Sequence, residues 1–331
     1  MIDYAFISLG MLAFAILMYV ILDGFDLGVG ILYPFFDPQE QDDAINSIAP
    51  MWDGNETWLV LGGMLLYACF PKAYSVLMPA LYAPLMTMLC ALVGRGVAFE
   101  FRAKANRHRH AWARLFFGSS LLATFCQGAL LGTIIEFSAK TIDLTQSTGL
   151  LWFSPFVLFC GIGLCFGYAL LGAGWLVMKT RGTLYEKAQT LSFHLYIAAG
   201  IVLLATTIIT PWVNPYISKL WFSNAFFYLM PLPILSIIVL SYAAYQTLQG
   251  HDSWPFLGGV FMFLTCFIGL AYSIYPYLLP MTPYYELAAH PKSLKLIVSV
   301  SSVLLPLLIS YSAYAYWVFR GKVESSVGYD K

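Results

Sequence analysis

Apolar runs of about 20 residues or more recur along the chain, without the strict alternation that a membrane barrel strand needs. In lipid every backbone polar group has to be satisfied within the protein, so runs of this kind are membrane-spanning helices. Composition agrees. Of 331 residues 60% are hydrophobic and 10% charged, against roughly 45–50% and roughly 25% in soluble proteins, and the mean hydropathy is +0.74. The expected fold class is an all-α polytopic membrane protein; a water-soluble domain is excluded.

Breakers and charges divide the runs into nine transmembrane helices, at about residues 6–33, 55–70, 75–98, 113–136, 151–178, 190–211, 222–246, 255–279 and 293–319. The second is short for a crossing, and needs the polar stretch before it to be helical and sheltered by protein. Asp3 precedes the first run with no Lys or Arg, which argues against a cleavable signal peptide. No loop exceeds about 20 residues and no flexible linker interrupts the chain, so residues 1–331 are expected to form a single integral membrane domain. Gly24, Gly28 and Gly30 in the first span are echoed by Gly161, Gly163, Gly167, Gly172 and Gly174 in the fifth. Either two four-helix bundles plus one extra helix or plain glycine enrichment at close helix contacts accounts for that echo.

Nine spans place alternate loops on opposite sides of the membrane. One side, including helix-end residues Arg95 and Arg114, collects twelve basic residues; the other has Lys72, Lys140, Lys219, Lys292 and Lys295. The positive-inside rule then puts the N-terminus outside (periplasmic) and the C-terminus in the cytoplasm. Seventeen basic residues balance seventeen acidic ones, so there is no electrostatic footprint for nucleic acid. Six cysteines lie in apolar runs with no CxxC pair, against a disulfide framework or thiolate metal site.

Ionisable residues at membrane depth are costly and are functional candidates. Asp23 and Asp26, three apart, share one helix face beside Gly24, Gly28 and Gly30. Asp53 and Glu56, again three apart, open the second span after Trp52. By the orientation above, both groups lie toward the cytoplasmic face. Carboxylates crowded together there have the properties a proton relay requires; the structural alternative is that Asp53 and Glu56 form an acidic capping box and Asp23 and Asp26 are solvated. Arg95, Glu100 and Arg102 at the inner end of the third span read as a local ion-pair network pinning that helix end. Of five histidines, His108, His110, His251 and His290 lie in loops and His194 near a helix start, so no two face each other as bis-histidine haem ligation needs. Nucleotide-binding and hydrolytic motifs are absent.

LDGFDLGVG (22–30), NSIAPMWDGNETWLV (46–60) and GRGVAFEFR (94–102), in this order and at these intervals, closely resemble subunit II of the cytochrome bd-type quinol oxidases. YPFF at 33–36 and the short chain look like the cyanide-insensitive branch. The resemblance implies two four-helix bundles plus one peripheral helix, in the bacterial inner membrane. It implies a haem-free subunit paired with a haem-bearing subunit I that carries b-type haems, with or without a d-type haem, and the quinol site; a small single-helix accessory subunit, lipid and quinone are further expected partners. The complex would oxidise quinol, reduce dioxygen to water and take protons from the cytoplasm through buried acids. Trp52 and Asp53 match the family's proton-path entrance and Asp26 its acid on the first span, while Glu56 stands where other members carry an amide. The alternative function class is a proton-coupled secondary transporter, which would show interrupted helices in inverted repeats.

Overall fold

Asp3 opens the first helix by accepting hydrogen bonds from the backbone N–H groups of Ala5 and Phe6, both at 3.0 Å, satisfying donors that the helix itself leaves free. In this computed structural model, which describes residues 3–104, 108–137 and 151–323, α1 (Tyr4–Leu32) is unbroken. At 1.5 Å per residue it is about 43 Å long, enough to cross a bilayer. Ser8, Leu12, Ala15, Tyr19, Asp23, Asp26, Gly30 and Tyr33 are buried along it, three or four residues apart and therefore on one side. Of the basic residues used for orientation, Arg107, Lys140 and Lys331 lie outside the described residues.

After a turn at Pro34 the chain forms α2 (Pro38–Ile48), a short amphipathic helix, and returns as α3 (Trp52–Cys69). The return is antiparallel to α1: Asn55 meets Asp26, the Trp58 ring meets Phe14 edge-on at 5.7 Å, and Gly62 lies opposite Ile16. The remaining helices are α4 (Pro71–Ala80), α5 (Tyr82–Lys104), α6 (Arg109–Phe137), α7 (Pro155–Lys179), α8 (Gly182–Val213), α9 (Pro215–Trp221), α10 (Phe226–Leu229), α11 (Pro231–Leu248), α12 (Trp254–Ile274), α13 (Tyr284–Leu287) and α14 (Pro291–Val318). A small hairpin, β1 (Tyr277–Leu279) with β2 (Thr282–Pro283), precedes α13.

Among the described residues, eight helices are long and apolar enough to cross a membrane, one fewer than the nine expected. The difference is α3. It is present where the second span was expected, but its opening turns carry Asp53, Asn55, Glu56 and Thr57, which lower its apolar character, and it packs along α1. Prolines move other boundaries. Lacking an N–H, proline ends or starts helices, so the third span begins at Tyr82 after the separate α4, the seventh, from Phe226, is divided into α10 and α11 before Pro231, and the eighth stops at Ile274 before Pro276.

The long helices pack as two neighbouring sets. α1, α3, α5 and α6 pack together, as do α7, α8, α11 and α12, and α14 lies outside, crossing α1 and α3. The groups meet where α1 and α6 pack against α7. A Cβ on Gly28 would overlap the Tyr168 carbonyl, and one on Gly172 the backbone of Gly28 and Val29, so only glycine permits this approach.

Candidate functional site

The polar groups of the first bundle converge on one face of α1. Asp23 and Asp26 are 0% and 1% exposed, although acids in lipid are retained only when partnered or in use. From α5, Arg95 donates through Nη2 to Asp23 Oδ1 at 2.7 Å and to the Glu56 carboxylate of α3. One buried cation thus joins a fully buried acid to one whose side chain is 27% exposed. Removing these charges from water is costly, and their mutual attraction at short range offsets that cost.

Asp26 is held by a neutral partner. Asn55 Nδ2, in the first turns of α3, donates to Asp26 Oδ2 at 2.7 Å and to the Leu22 carbonyl at 3.2 Å. Tyr316 of α14 donates to Asn55 Oδ1 at 2.9 Å and so fixes which end of the amide meets the acid. On the other side of Asp23 the polar chain continues. The Tyr19 hydroxyl lies beside Asp23, Gln127 Nε2 of α6 donates to Tyr19 Oη at 2.7 Å, and Tyr168 of α7 donates to Gln127 Oε1 at 2.9 Å. Gly24 leaves the space that the Tyr168 ring fills; a Cβ there would lie 2.8 Å from its Cε1.

The structure brings Asp23, Asp26 and Glu56 together and leaves Asp53 apart. Asp53 lies in the first turn of α3 and is exposed at the protein surface. The N-cap is Met51, with no side-chain cap, so the acidic capping-box reading does not hold; at the helix N-terminus Asp53 still meets a favourable dipole. Trp52 packs against the Phe99 ring at 5.1 Å and against Gly96 of α5, holding the start of α3 to that helix.

Of the residues Arg95, Glu100 and Arg102 expected to form a local network, the two arginines reach partners on other helices. Arg95 points inward to α1 and α3. Arg102, two turns further along the same side, reaches Asp42 of α2 at 2.6 Å, where Arg109 of α6 joins it. Residues seven apart on a helix share a side, so both arginines face neighbouring helices. Asn55, Tyr19, Gln127, Tyr168, Tyr316 and Asp42 were not among the sequence candidates. Asn55 is three residues from Trp52 inside the quoted motif, and its position two after Asp53 was the available signal.

Chemically the cluster can hold and exchange protons: two acids share one guanidinium, a third lies beside them on the same helix face, and the set grades from fully buried to partly exposed. The five histidines are exposed, and among the described residues no group of three His, Cys, Asp or Glu side chains is placed to hold a metal ion.

Fold and site together define a helical integral membrane protein with an acid cluster around one buried arginine inside its first bundle. The profile of the cytochrome bd terminal oxidase subunit II family matches residues 4–319, and the chain belongs to that family. It is 28% identical over 323 residues to cytochrome bd ubiquinol oxidase subunit 2 of Bacillus subtilis, covering 92% of this chain and 93% of that one. It is 24% identical over 370 residues to cytochrome bd-I ubiquinol oxidase subunit 2 of Escherichia coli K12, covering 98% and 97%. The fold is similar to a chain of the bd oxidase of Geobacillus thermodenitrificans, with a TM-score of 0.77 at 18% identity over 96% of this chain and 99% of that one. The family assignment gives no support to the transporter reading.

Proposed function

We propose that this chain is the haem-free subunit of a quinol-oxidising, dioxygen-reducing bd-type complex in the bacterial inner membrane, and that it delivers protons from the cytoplasm through its acid cluster. The observation that supports delivery is the bridge from buried Asp23, through Arg95, to partly exposed Glu56, with Asp26 beside it on the same face of α1. Exposed Asp53 lies one turn from Glu56 and serves as the proton acceptor at the surface. The placement of the arginine-rich α5 end on the cytoplasmic side follows from the basic-residue distribution. YPFF at 33–36 and the chain length support the cyanide-insensitive branch.

In this reading the partner subunit holds the haems and the quinol site, and the haems supply the electron transfer to oxygen. The residues of this chain bind and pass protons. Asp53 exchanges with water, Glu56 receives the proton at the edge of the protein, and Asp23 and Asp26 hold it in the interior, where Asn55 and Arg95 fix their carboxylates.

Asp53→Asn tests the entrance. The variant keeps the shape and loses the exchangeable proton, so the complex is expected to assemble with its haem content intact while oxygen consumption per haem falls about tenfold, a barrier increase of about 1.4 kcal/mol. Turnover near that of the parent protein removes Asp53 from the pathway. For the haem-free assignment, the purified subunit alone is expected to give no Soret band, and its appearance would contradict that assignment.

A further inference from the structure

Asp26 is held at one oxygen only. Asn55 donates to its Oδ2, and Oδ1 has no protein partner among the described residues, so whatever sets the Asn55 amide sets the carboxylate. Which way that amide faces matters chemically. Nδ2 can only donate, and donation to the carboxylate lets its proton go; an amide turned over would present Oδ1, which accepts a hydrogen bond only from the protonated acid and so retains the proton. Nδ2 is shared with the Leu22 carbonyl of α1, while the contact that reaches the amide from outside α1 is the hydroxyl of Tyr316.

Tyr316 takes little support from its own helix. The buried residues of α14, Leu294 and Ser301, lie in its other half, and Tyr314 and Trp317 beside it are exposed. Its ring enters an aromatic box between the two bundles instead, edge-on to Phe25 of α1 at 6.4 Å and to Trp175 of α7 at 6.0 Å, two rings that stack on each other at 4.2 Å.

Behind Trp175 stands Lys179, the last residue of α7, which is buried. Its ammonium lies 5.0 Å from the centre of the Trp175 ring and donates to the carbonyls of Phe319 and Gly321, just past the end of α14. These are the acceptors that a helix leaves free at its C-terminus, where a cation is also favoured by the helix dipole. The Lys179 carbonyl in turn accepts from Val323 N–H at 2.7 Å, and Lys322 reaches Asp252 at 2.6 Å. The chain after α14 is thus laid across the end of the second bundle, and Lys179 acts on the turn of α14 that carries Tyr316.

We propose that Tyr316 and Lys179 are positioning residues for proton transfer at Asp26: Lys179, from the second bundle, holds the end of α14, and the Tyr316 hydroxyl so placed keeps the Asn55 amide with Nδ2 toward the carboxylate. The proposal rests on delivery through Asp26.

Turnover per haem and its pH profile in the intact oxidase test it. Tyr316→Phe removes one hydroxyl and keeps the ring, so haem content is expected to match the parent complex while turnover falls about threefold or more. The alkaline limb of the profile is expected to move to higher pH by about half a unit or more, because the proton on Asp26 is held more firmly; Asp23, Arg95 and Glu56, the charged groups around Asp26, are unchanged in this variant. Tyr314→Phe, which removes an exposed hydroxyl from the same helix, is the control and is expected to match the parent in both readings. Lys179→Met is expected to reproduce the fall and the displacement, Lys179→Arg, which still donates to carbonyls, to restore most of both, and Lys179→Met to add nothing to a chain that carries Tyr316→Phe. Parental turnover and profile in Tyr316→Phe overturn the proposal, as does a fall in turnover with no displacement of the profile, the result of loosened packing alone. Additive effects, or a Lys179→Met complex that does not assemble, overturn the part assigned to Lys179. Asp26→Asn separates this proposal from the reading beneath it: full turnover in that variant removes delivery through Asp26 itself, whereas its loss beside a parental Tyr316→Phe removes the positioning alone.

Discussion

α1 and α7 are built to one pattern and charged differently. Aligned on the glycines that touch, Gly28 and Gly172, LDGFDLGVG (22–30) sets Gly30 opposite Gly174 of FGYALLGAG (166–174). Gly28 and Gly172 admit each other's backbone, Gly30 backs onto Ser120 of α6, and Gly174 backs onto Pro255 and Phe256 of α12. Each central helix thus meets its counterpart and a flanking helix through small residues. Where α1 carries Asp23 against Arg95, α7 carries Gly167 against the Phe263 ring, and where α1 carries Asp26, α7 carries fully buried Leu170. The second bundle shows that this crossing needs no charge. The acids are an addition to a fold that closes without them, and in a membrane interior such an addition is retained for use.

Breaking the shared part has the largest expected effect. Gly28→Ala and Gly172→Ala each drive a methyl group into backbone, which unlike a side-chain tip cannot swing aside. Overpacking of this kind costs about 1–3 kcal/mol or more, and both variants are expected to lose assembled complex, read as haem recovered with the purified oxidase. Gly63→Ala, with nothing within 4 Å of its Cβ, is the matched control and is expected to assemble. Two variants that assemble normally would show that the crossing tolerates a wider separation.

Breaking the difference comes next. Arg95→Met leaves the buried Asp23 carboxylate without its cation, and stranding one member of a buried pair costs about 3–5 kcal/mol. Asp23→Asn in the same chain moves α1 toward the uncharged pattern of α7 and is expected to recover much of that loss. The readout is the thermal midpoint of the purified complex across the double-mutant cycle. Equal midpoints for the single and double variants would mean that Glu56, not Asp23, is the partner that matters for stability.

The contrast also explains what could be read from residue order. Asp23, Asp26 and the glycines are local to one helix, where a three- or four-residue spacing already fixes the face, and the same holds for eight of the nine spans. The acids' partners were not legible in that way. Arg95 reaches Asp23 across 72 positions and Tyr316 reaches Asn55 across 261, and such pairs depend on how separate helices dock. Sequence spacing displays only neighbours, so it relates Arg95 to its own helix and not to α1 or α3. The polar opening of α3 misled the span count for a related reason: hydropathy averages a helix as if lipid surrounded it, whereas Asn55 and Trp58 are sheltered by α1. The family motif contains Asp53, and its members that face inward are Asn55 and Glu56, which only the docking of α1 and α5 reveals.

The smallest effect concerns the outer seam, where α2 of the first half meets α8 of the second. Glu40 accepts hydrogen bonds from Lys187 Nζ and from its own helix start at Asp37 N–H, both at 2.8 Å, and Lys187 also reaches Asp37 at 2.7 Å. Burial by itself pushes the Glu40 carboxyl up, but these bonds to its charged form hold it below its ordinary value. A depressed carboxyl stabilises the docked state above its unfolded value, about 4.3, and that contribution is lost as pH falls through the lower folded value. Asp43 on the same helix is shifted the other way, by burial and by Asp42 and Glu40, so its protonation favours docking as pH falls and partly masks the Glu40 response. Comparison with Glu40→Gln isolates the latter. Hydrogen exchange of the α2 amides, corrected for intrinsic rates, is expected to quicken severalfold from about pH 6 to about pH 3.5 in the parent complex and to change less in the Gln variant. The same pH response in both would show that the seam is held by the burial of Ile45 and Ile48, and that the Glu40–Lys187 contact is incidental to it.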